Sequence, residues 1–186
     1  MQGAPEGSRG GDDAARGPGR PRLRSDDELL DAAERVIARA GPPGLTLAEV
    51  AREAGIAASS LHARFGSKRA LLLAASARAA PPVARRDLPP REAALDLLLR
   101  AAEPIADRET YLNTFTWLSV DLYDAEFGAH ARRYVLRLRA ELTAVLGDER
   151  LARAAFAAQQ GAMMLWALDG EGDLLGRVRE AVGAVL

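Results

Sequence analysis

The sequence predicts an all-α protein of about nine helices, with an N-terminal three-helix helix-turn-helix unit followed by a C-terminal helical bundle. Three observations carry that prediction. Apolar side chains recur at helical spacing from Leu29 onward, and no strand-like alternation interrupts them. Ser25 and Thr46 each stand three residues before a glutamate, the spacing of a capping box. Glycine and proline mark the ends of the periodic stretches, at Gly41-Pro42-Pro43, Gly66, Pro81-Pro82, Pro89-Pro90, Gly147 and Gly170.

Residues 1–24 are rich in Gly, Pro and Arg and nearly lack apolar side chains, so a disordered basic arm is expected. The first helix opens at Ser25-Asp26-Asp27-Glu28. The Ser25 hydroxyl and Glu28 carboxylate can satisfy free amides reciprocally there, and the acids suit the positive end of the helix dipole. Leu29, Leu30, Ala33, Val36, Ile37 and Ala40 mark its inward face. Gly41 is expected to end it, with Pro42-Pro43 preventing resumption. A second box, Thr46 to Glu49, opens a short helix with Leu47, Val50 and Ala51 inward. Gly55 makes the next turn, because a residue without Cβ adopts positive φ at low cost. A third helix follows over 57–64, anchored by Leu61 and Phe65, and Ser67 caps a fourth that reaches Ala80. Two short helices joined by a glycine-containing turn are the pattern of a helix-turn-helix unit. Five further amphipathic helices are expected over 90–106, 108–123, 125–146, 149–168 and 171–185. The chain thus divides into an arm (1–24), a helix-turn-helix segment with its linking helix (25–80) and a second, larger domain (81–186).

Composition excludes several functions. There is no cysteine, hence no disulfide framework, Cys-ligated zinc or thiol nucleophile. The two histidines, His62 and His130, lie far apart, and no phosphate-binding loop, dinucleotide fingerprint or nucleophile elbow occurs. No metal, cofactor or catalytic residue is expected, and the chain is read as a non-enzyme. No apolar run approaches the ~18 residues of a membrane span, and no signal-peptide pattern opens the chain, so a cytoplasmic protein is expected. The formal net charge of −1 hides segregation: residues 54–86 carry Arg64, Lys68, Arg69, Arg78, Arg85 and Arg86 and no acid. Such a block is a candidate polyanion surface, with a solvated helix face as the alternative. Lys68 is the one lysine among 25 basic residues.

The segment from Leu29 to Leu73 resembles the DNA-binding domain of TetR-family transcriptional regulators. The matching residues are Leu30, Ala32-Ala33, Val36-Ile37, Ala40-Gly41, Leu45-Thr46-Leu47, Val50-Ala51 and Ala54-Gly55-Ile56. They continue through Ser60-Leu61-His62, Phe65-Gly66-Ser67-Lys68 and Ala70-Leu71. The same residues suit that role on physical grounds. A recognition helix needs small or hydrogen-bonding side chains outward so that its backbone can approach the major groove. Ala57, Ala58, Ser59, Ser60, His62, Ala63 and Arg64 fit that need. Lys68 and Thr46 fall at helix starts, where a side chain and free amides can share a phosphate. Arg64 is a candidate for reading guanine and equally for a second phosphate clamp. Arg20, Arg22 and Arg24 are candidates for a minor-groove arm, the alternative being an uninvolved tail. Three places depart from the family pattern. His62 stands where tyrosine is usual, Ala57 where serine caps the helix, and Ser59-Ser60 where Gly and Thr are common.

The resemblance implies a sequence-specific transcriptional regulator, most often a repressor in this family, released from a palindromic DNA operator by a small-molecule effector. Its homodimer would form through the last two helices. A small-residue stripe (Ala154, Ala155, Ala158, Ala162) and an apolar face (Leu174, Leu175, Val178, Val182, Val185) are the candidates, with intrachain packing alone as the alternative. Tyr111, Phe115, Trp117, Asp121, Met163, Met164 and Trp166 are candidates for lining a pocket that takes an apolar or amphipathic effector, against the alternative of ordinary core. The fourth helix would couple that pocket to DNA. A nonspecific architectural DNA-binding protein and a helical interaction module without DNA binding are the competing classes.

Overall fold

The computed structural model describes residues 24–105 and 107–186, the side chains of 118–122 excepted. Among the described residues there are nine helices and no strand. They are α1 (Asp26–Gly44), α2 (Leu47–Ala54), α3 (Ala58–Phe65), α4 (Lys68–Arg78), α5 (Pro90–Ala102), α6 (Arg108–Tyr123), α7 (Ala125–Leu146), α8 (Glu149–Asp169) and α9 (Leu174–Gly183). No helix of the described residues is long and apolar enough to cross a membrane.

Local chemistry explains the boundaries. At α1 the Ser25 hydroxyl accepts from the Glu28 amide, and Glu28 accepts from the Ser25 amide at 2.8 Å. That backbone bond, with help from Arg24, holds the Glu28 carboxyl below its usual range. Gly41 breaks the helix as expected, with φ +66° and ψ 170°, a backbone region open essentially to glycine alone. One more helical turn nevertheless follows over Pro42–Gly44, because proline is tolerated in a first turn, where its missing N–H costs no bond. The Thr46 cap is half of the expected box. Its hydroxyl accepts from the Glu49 amide, but the Glu49 carboxylate returns to that hydroxyl and not to the backbone.

Three later helices are shorter than their periodicity suggests. α4 stops at Arg78 rather than Ala80, since Pro81 disfavours helical backbone in the residue before it. α5 stops at Ala102 rather than 106, since Pro104 lacks a donor and clashes with the preceding turn. α9 begins at Leu174 rather than 171, where Asp173 caps the Gly176 amide at 2.7 Å.

Two buried clusters result. The first joins α1 to α4 through Leu29, Val36, Leu45, Val50, Leu61 and Leu71, and it includes one residue from far along the chain, Phe127 of α7. The second joins α5 to α9 around Leu97, Leu98, Leu138, Leu142 and Val178. Polar contacts pin the halves at two places, through Asn113 and Arg69, and pin α4 to α1 at a third, through Arg78. Asn113 of α6 donates to the Ala38 carbonyl at 3.1 Å. Arg78 of α4 pairs with Asp31 and Glu34 of α1 at 2.5 and 2.7 Å, fixing α4 across α1. Arg69 of α4 pairs with Asp124 at 2.8 Å and Glu126 at 2.6 Å, at the start of α7.

The expected dimer stripe divides differently. Ala155 and Ala162 are buried in the chain's own core, as are Leu174, Val178 and Val182. The outward face of α8 carries Ala154, Ala157, Gly161, Met164, Leu165 and Leu168.

Gly41 and Gly55 offer a paired stability test. A Cβ at Gly41 would lie 2.8 Å from Asn113 Oδ1, whereas one at Gly55 would meet nothing within 4 Å. Gly55→Ala is expected to cost about 1 kcal/mol and Gly41→Ala about 2–3 kcal/mol, measured by urea unfolding. Equal losses would show that the Asn113 contact adds nothing.

Candidate functional site

The helix-turn-helix unit is set by two devices. Gly55 closes α2 in the left-handed region, at φ +70° and ψ 36°, which lets the chain reverse toward α3. Leu61, fully buried, then pins α3 against α2 and α4. Everything else on α3 that was expected to face outward does so: Ala57, Ala58, Ser59, Ser60, His62, Ala63 and Arg64 are all exposed. Ala57 occupies the N-cap without a side-chain bond, so the first turn of α3 keeps free amides. A surface of methyls, hydroxyls and one imidazole lets a backbone approach a groove wall closely.

The cations around it are partly engaged. Lys68 donates to the Pro43 carbonyl at 2.7 Å, so it sits between α4 and the last turn of α1. Arg64 pairs through Nε with Asp26 at 3.1 Å and donates to the Arg24 carbonyl. Arg24 itself is exposed and pairs with Glu28 at 2.7 Å. Thr46 caps α2 and is exposed. Arg20 and Arg22 lie outside the described residues.

A second site lies between α4 and the bundle. A cavity of about 380 Å³ is walled by Ser76 of α4 and Ala79 just after it, by Ala101, Ile105 and residues of α6, and by stripes of α7 and α8. Of the expected lining, Tyr111, Phe115, Trp117 and Met163 are present. Met164 points outward and is 43% exposed, and Trp166 is buried elsewhere with its indole N–H on the Gly172 carbonyl at 3.1 Å. The Asp121 side chain lies outside the described residues. Sequence reasoning missed His130, Phe156 and Gln159 as lining. Their signal was present as the i, i+4, i+8 stripe His130-Tyr134-Leu138 and the i, i+3, i+7 stripe Phe156-Gln159-Met163. Burial pushes the Tyr111 and Tyr134 phenols up, so both remain neutral donors at physiological pH. Gln159, 1% exposed, donates to the Leu98 carbonyl at 2.7 Å and accepts from Gln160, while His130 Nδ1 is buried without a partner. Among the described residues no group of His, Cys, Asp or Glu is placed to hold a metal ion.

Residues 29–75 match the family described as bacterial regulatory proteins, tetR family. The chain carries a TetR-family N-terminal domain. Over 45 residues it is 49% identical to the HTH-type transcriptional regulator BetI of Agrobacterium fabrum, a stretch that spans 24% of this chain and 22% of that relative. The TetR-type likeness extends further in structure. A TetR transcription regulator from Haloarcula marismortui superposes with a TM-score of 0.68 at 18% identity, over 86% of this chain and 95% of the other. The multidrug binding protein EbrR, in complex with proflavin, gives 0.61 at 24% identity, over 87% and 99%. Both show the fold, and their shared coverage includes the bundle as well as the TetR-type unit.

Two predictions follow from the charges. Asp26 competes with any phosphate for Arg64, and an exposed pair of this kind is worth ~0–1 kcal/mol. Asp26→Asn should tighten DNA binding by up to about fivefold at low salt, read by fluorescence anisotropy, and weaker binding would place Arg64 away from DNA. The Arg69 guanidinium, with two backbone amides, holds the Asp124 carboxyl below its ordinary 3.8. A depressed folded value means the clasp contributes fully above that ordinary value and is lost as pH falls through the lower folded one. The gap in urea midpoint between the chain and Asp124→Asn should therefore be constant above about pH 5 and close in acid.

Proposed function

We propose that this chain is a DNA-binding transcriptional regulator whose affinity for a palindromic operator is lowered by a small-molecule effector. The observation that carries the reading is the outward face of α3. Seven consecutive candidate positions, interrupted only by buried Leu61, present nothing larger than His62 and Arg64 beside a TetR-type turn. Lys68 at the α4 start and Thr46 at the α2 start supply phosphate positioning, and the free first-turn amides of α3 extend it. The Arg24 carbonyl accepts from Arg64, so the first described residue sits beside α3. The reading also assigns Arg20 and Arg22, which are outside the described residues, to an adjacent minor groove. Residues 25–80 act as the reading head and 81–186 as the sensor.

The cavity is the effector site. Its aromatic walls and few polar groups suit an apolar or amphipathic molecule. Two copies pair through α8 and α9. The support is that α8 is apolar on both faces: one is spent on the chain's own core, and the other exposes Leu165 at 58% and Leu168 at 74%. A twofold dimer reads half-sites about 34–36 Å apart. The reading assigns no catalysis, metal or cofactor to the protein.

Footprinting on DNA flanking the protein's own gene tests the reading, with random DNA as competitor across several salt concentrations. A protected palindrome supports it. Equal binding to all sequences leaves an architectural DNA-binding protein, and no binding leaves an interaction module. Lys68→Ala is expected to weaken binding to every sequence alike and to lower the salt slope by about one unit. Loss of the Pro43 bond alone would change thermal stability and leave the slope unmoved.

A further inference from the structure

The cavity walls are aromatic and aliphatic, and the polar groups among them are neutral and largely unpaired. Ser76 from α4, Tyr111 from α6 and Tyr134 from α7 each bring a hydroxyl, so three helices converge on one space. Ser76 and Tyr111 are each only 8% exposed. Among the described residues none of the three hydroxyls has a hydrogen-bond partner, and none is sealed from solvent-sized space. The cavity is the space that all three border. Other polar groups there are already engaged. The Thr114 hydroxyl donates to the Thr110 carbonyl at 2.9 Å, and the Gln159 amide is bonded at both its nitrogen and its oxygen. Gln160 donates to Gln159 and keeps its carbonyl oxygen free.

The charge of the wall is equally informative. Among the described lining residues there is no aspartate, glutamate, lysine or arginine. Burial raises both phenols, so neither ionises near neutral pH, and His130 is neutral or positive but never negative. An organic cation entering this space loses hydration without gaining a counter-charge, and attraction to ring faces replaces only part of that loss. A hydrocarbon of the same shape strands three desolvated hydroxyls. A neutral ring system with oxygen acceptors avoids both costs. Donors placed for a ligand oxygen also discriminate more strongly than apolar walls do, because an analogue without that oxygen leaves them unpaired.

We propose that the cavity selects a neutral aromatic molecule bearing acceptor oxygens, held by the Ser76, Tyr111 and Tyr134 hydroxyls, and excludes organic cations. The inference deepens the reading of the cavity as an effector site and rests on it. The volume of about 380 Å³ lies at the small end of the usual ~300–1,000 Å³ range, which suits a molecule of two or three fused rings. The free Gln160 oxygen gives such a molecule one place for a donor as well.

The test titrates tricyclic dyes of similar shape into the full chain without DNA, read by their fluorescence anisotropy. Acridone is neutral with a carbonyl and an N–H, anthracene is neutral without a polar atom, and an aminoacridine is a cation at neutral pH. Acridone is expected to bind about fivefold or more tighter than either of the others. Tyr111→Phe and Tyr134→Phe should each weaken acridone about three- to tenfold, the worth of one neutral hydrogen bond, and move anthracene by less than about twofold. Ser76→Ala should follow the same pattern. Equal losses for acridone and anthracene would reduce these residues to packing and overturn the proposal. Binding of none of the dyes overturns it, and so does aminoacridine binding as tight as that of acridone. Asp121→Asn identifies the source in that last case, since cation binding that vanishes there takes its counter-charge from a side chain outside the described residues. The effect of acridone on affinity for the promoter fragment is measured separately. Dye binding in the expected order with DNA affinity unchanged tells against the effector reading alone and leaves the ligand class standing.

Discussion

The placement of Phe127 is the constraint on which the two halves depend. A chain of this size could close each half around its own core. Here one ring from the start of α7 completes the core of α1–α4, so the N-terminal unit is not fully packed without the bundle. The carboxylate that makes this possible is Asp124. It caps α7, which orients the helix so that Phe127 points inward, and it holds Arg69 across the ring. Helix start and domain contact are thus the same interaction, and a change in one is a change in the other.

The parts legible in the sequence were those set by neighbours along the chain. Ser25 with Glu28, Gly55 at φ +70° and Ser67 above Ala70 are arrangements within four residues, and each stands where its residue types place it. The exposed set on α3 was legible for the same reason, since Leu61 alone defines the inward direction of so short a helix. Helix ends set by a downstream proline were overrun, because periodicity continues through Ala79, Ala80 and Glu103 although Pro81 and Pro104 forbid the helix itself.

The cavity was legible only in part, and helical geometry explains which part. Met163 lines it, while Met164 is turned by about 100° and Trp166 by about 300° around the helix, so three residues chosen as a cluster in sequence point three ways. Composition drew attention to aromatics and methionine. Register was the better guide, because His130, Tyr134 and Leu138 share one face, as do Phe156, Gln159 and Met163. The choice between the two faces of α8 could not be made from sequence at all. Alanine occupies both, and only packing against α9 and α7 decides that Ala155 and Ala162 turn inward while Ala154 and Ala157 turn out.

The basic block over 54–86 means something different once its partners are known. Arg69 binds two acids and holds the halves together, and Arg78 binds three and holds α4 on α1. Arg85 and Arg86 pair with Asp87 and Glu141. Those four charges are largely spent inside the protein and contribute little to an external field. Arg64 and Lys68 differ from them. Lys68 meets a neutral carbonyl, so its charge is not cancelled, and Arg64 meets one carboxylate that is 68% exposed. An exposed single pair is worth at most about 1 kcal/mol and exchanges readily for a phosphate. A guanidinium shared by two acids and a ring loses three contacts at once if it leaves. The block therefore separates by geometry into cations that build the fold and cations that are free to exchange partners, and the exchangeable ones are the two that border α3.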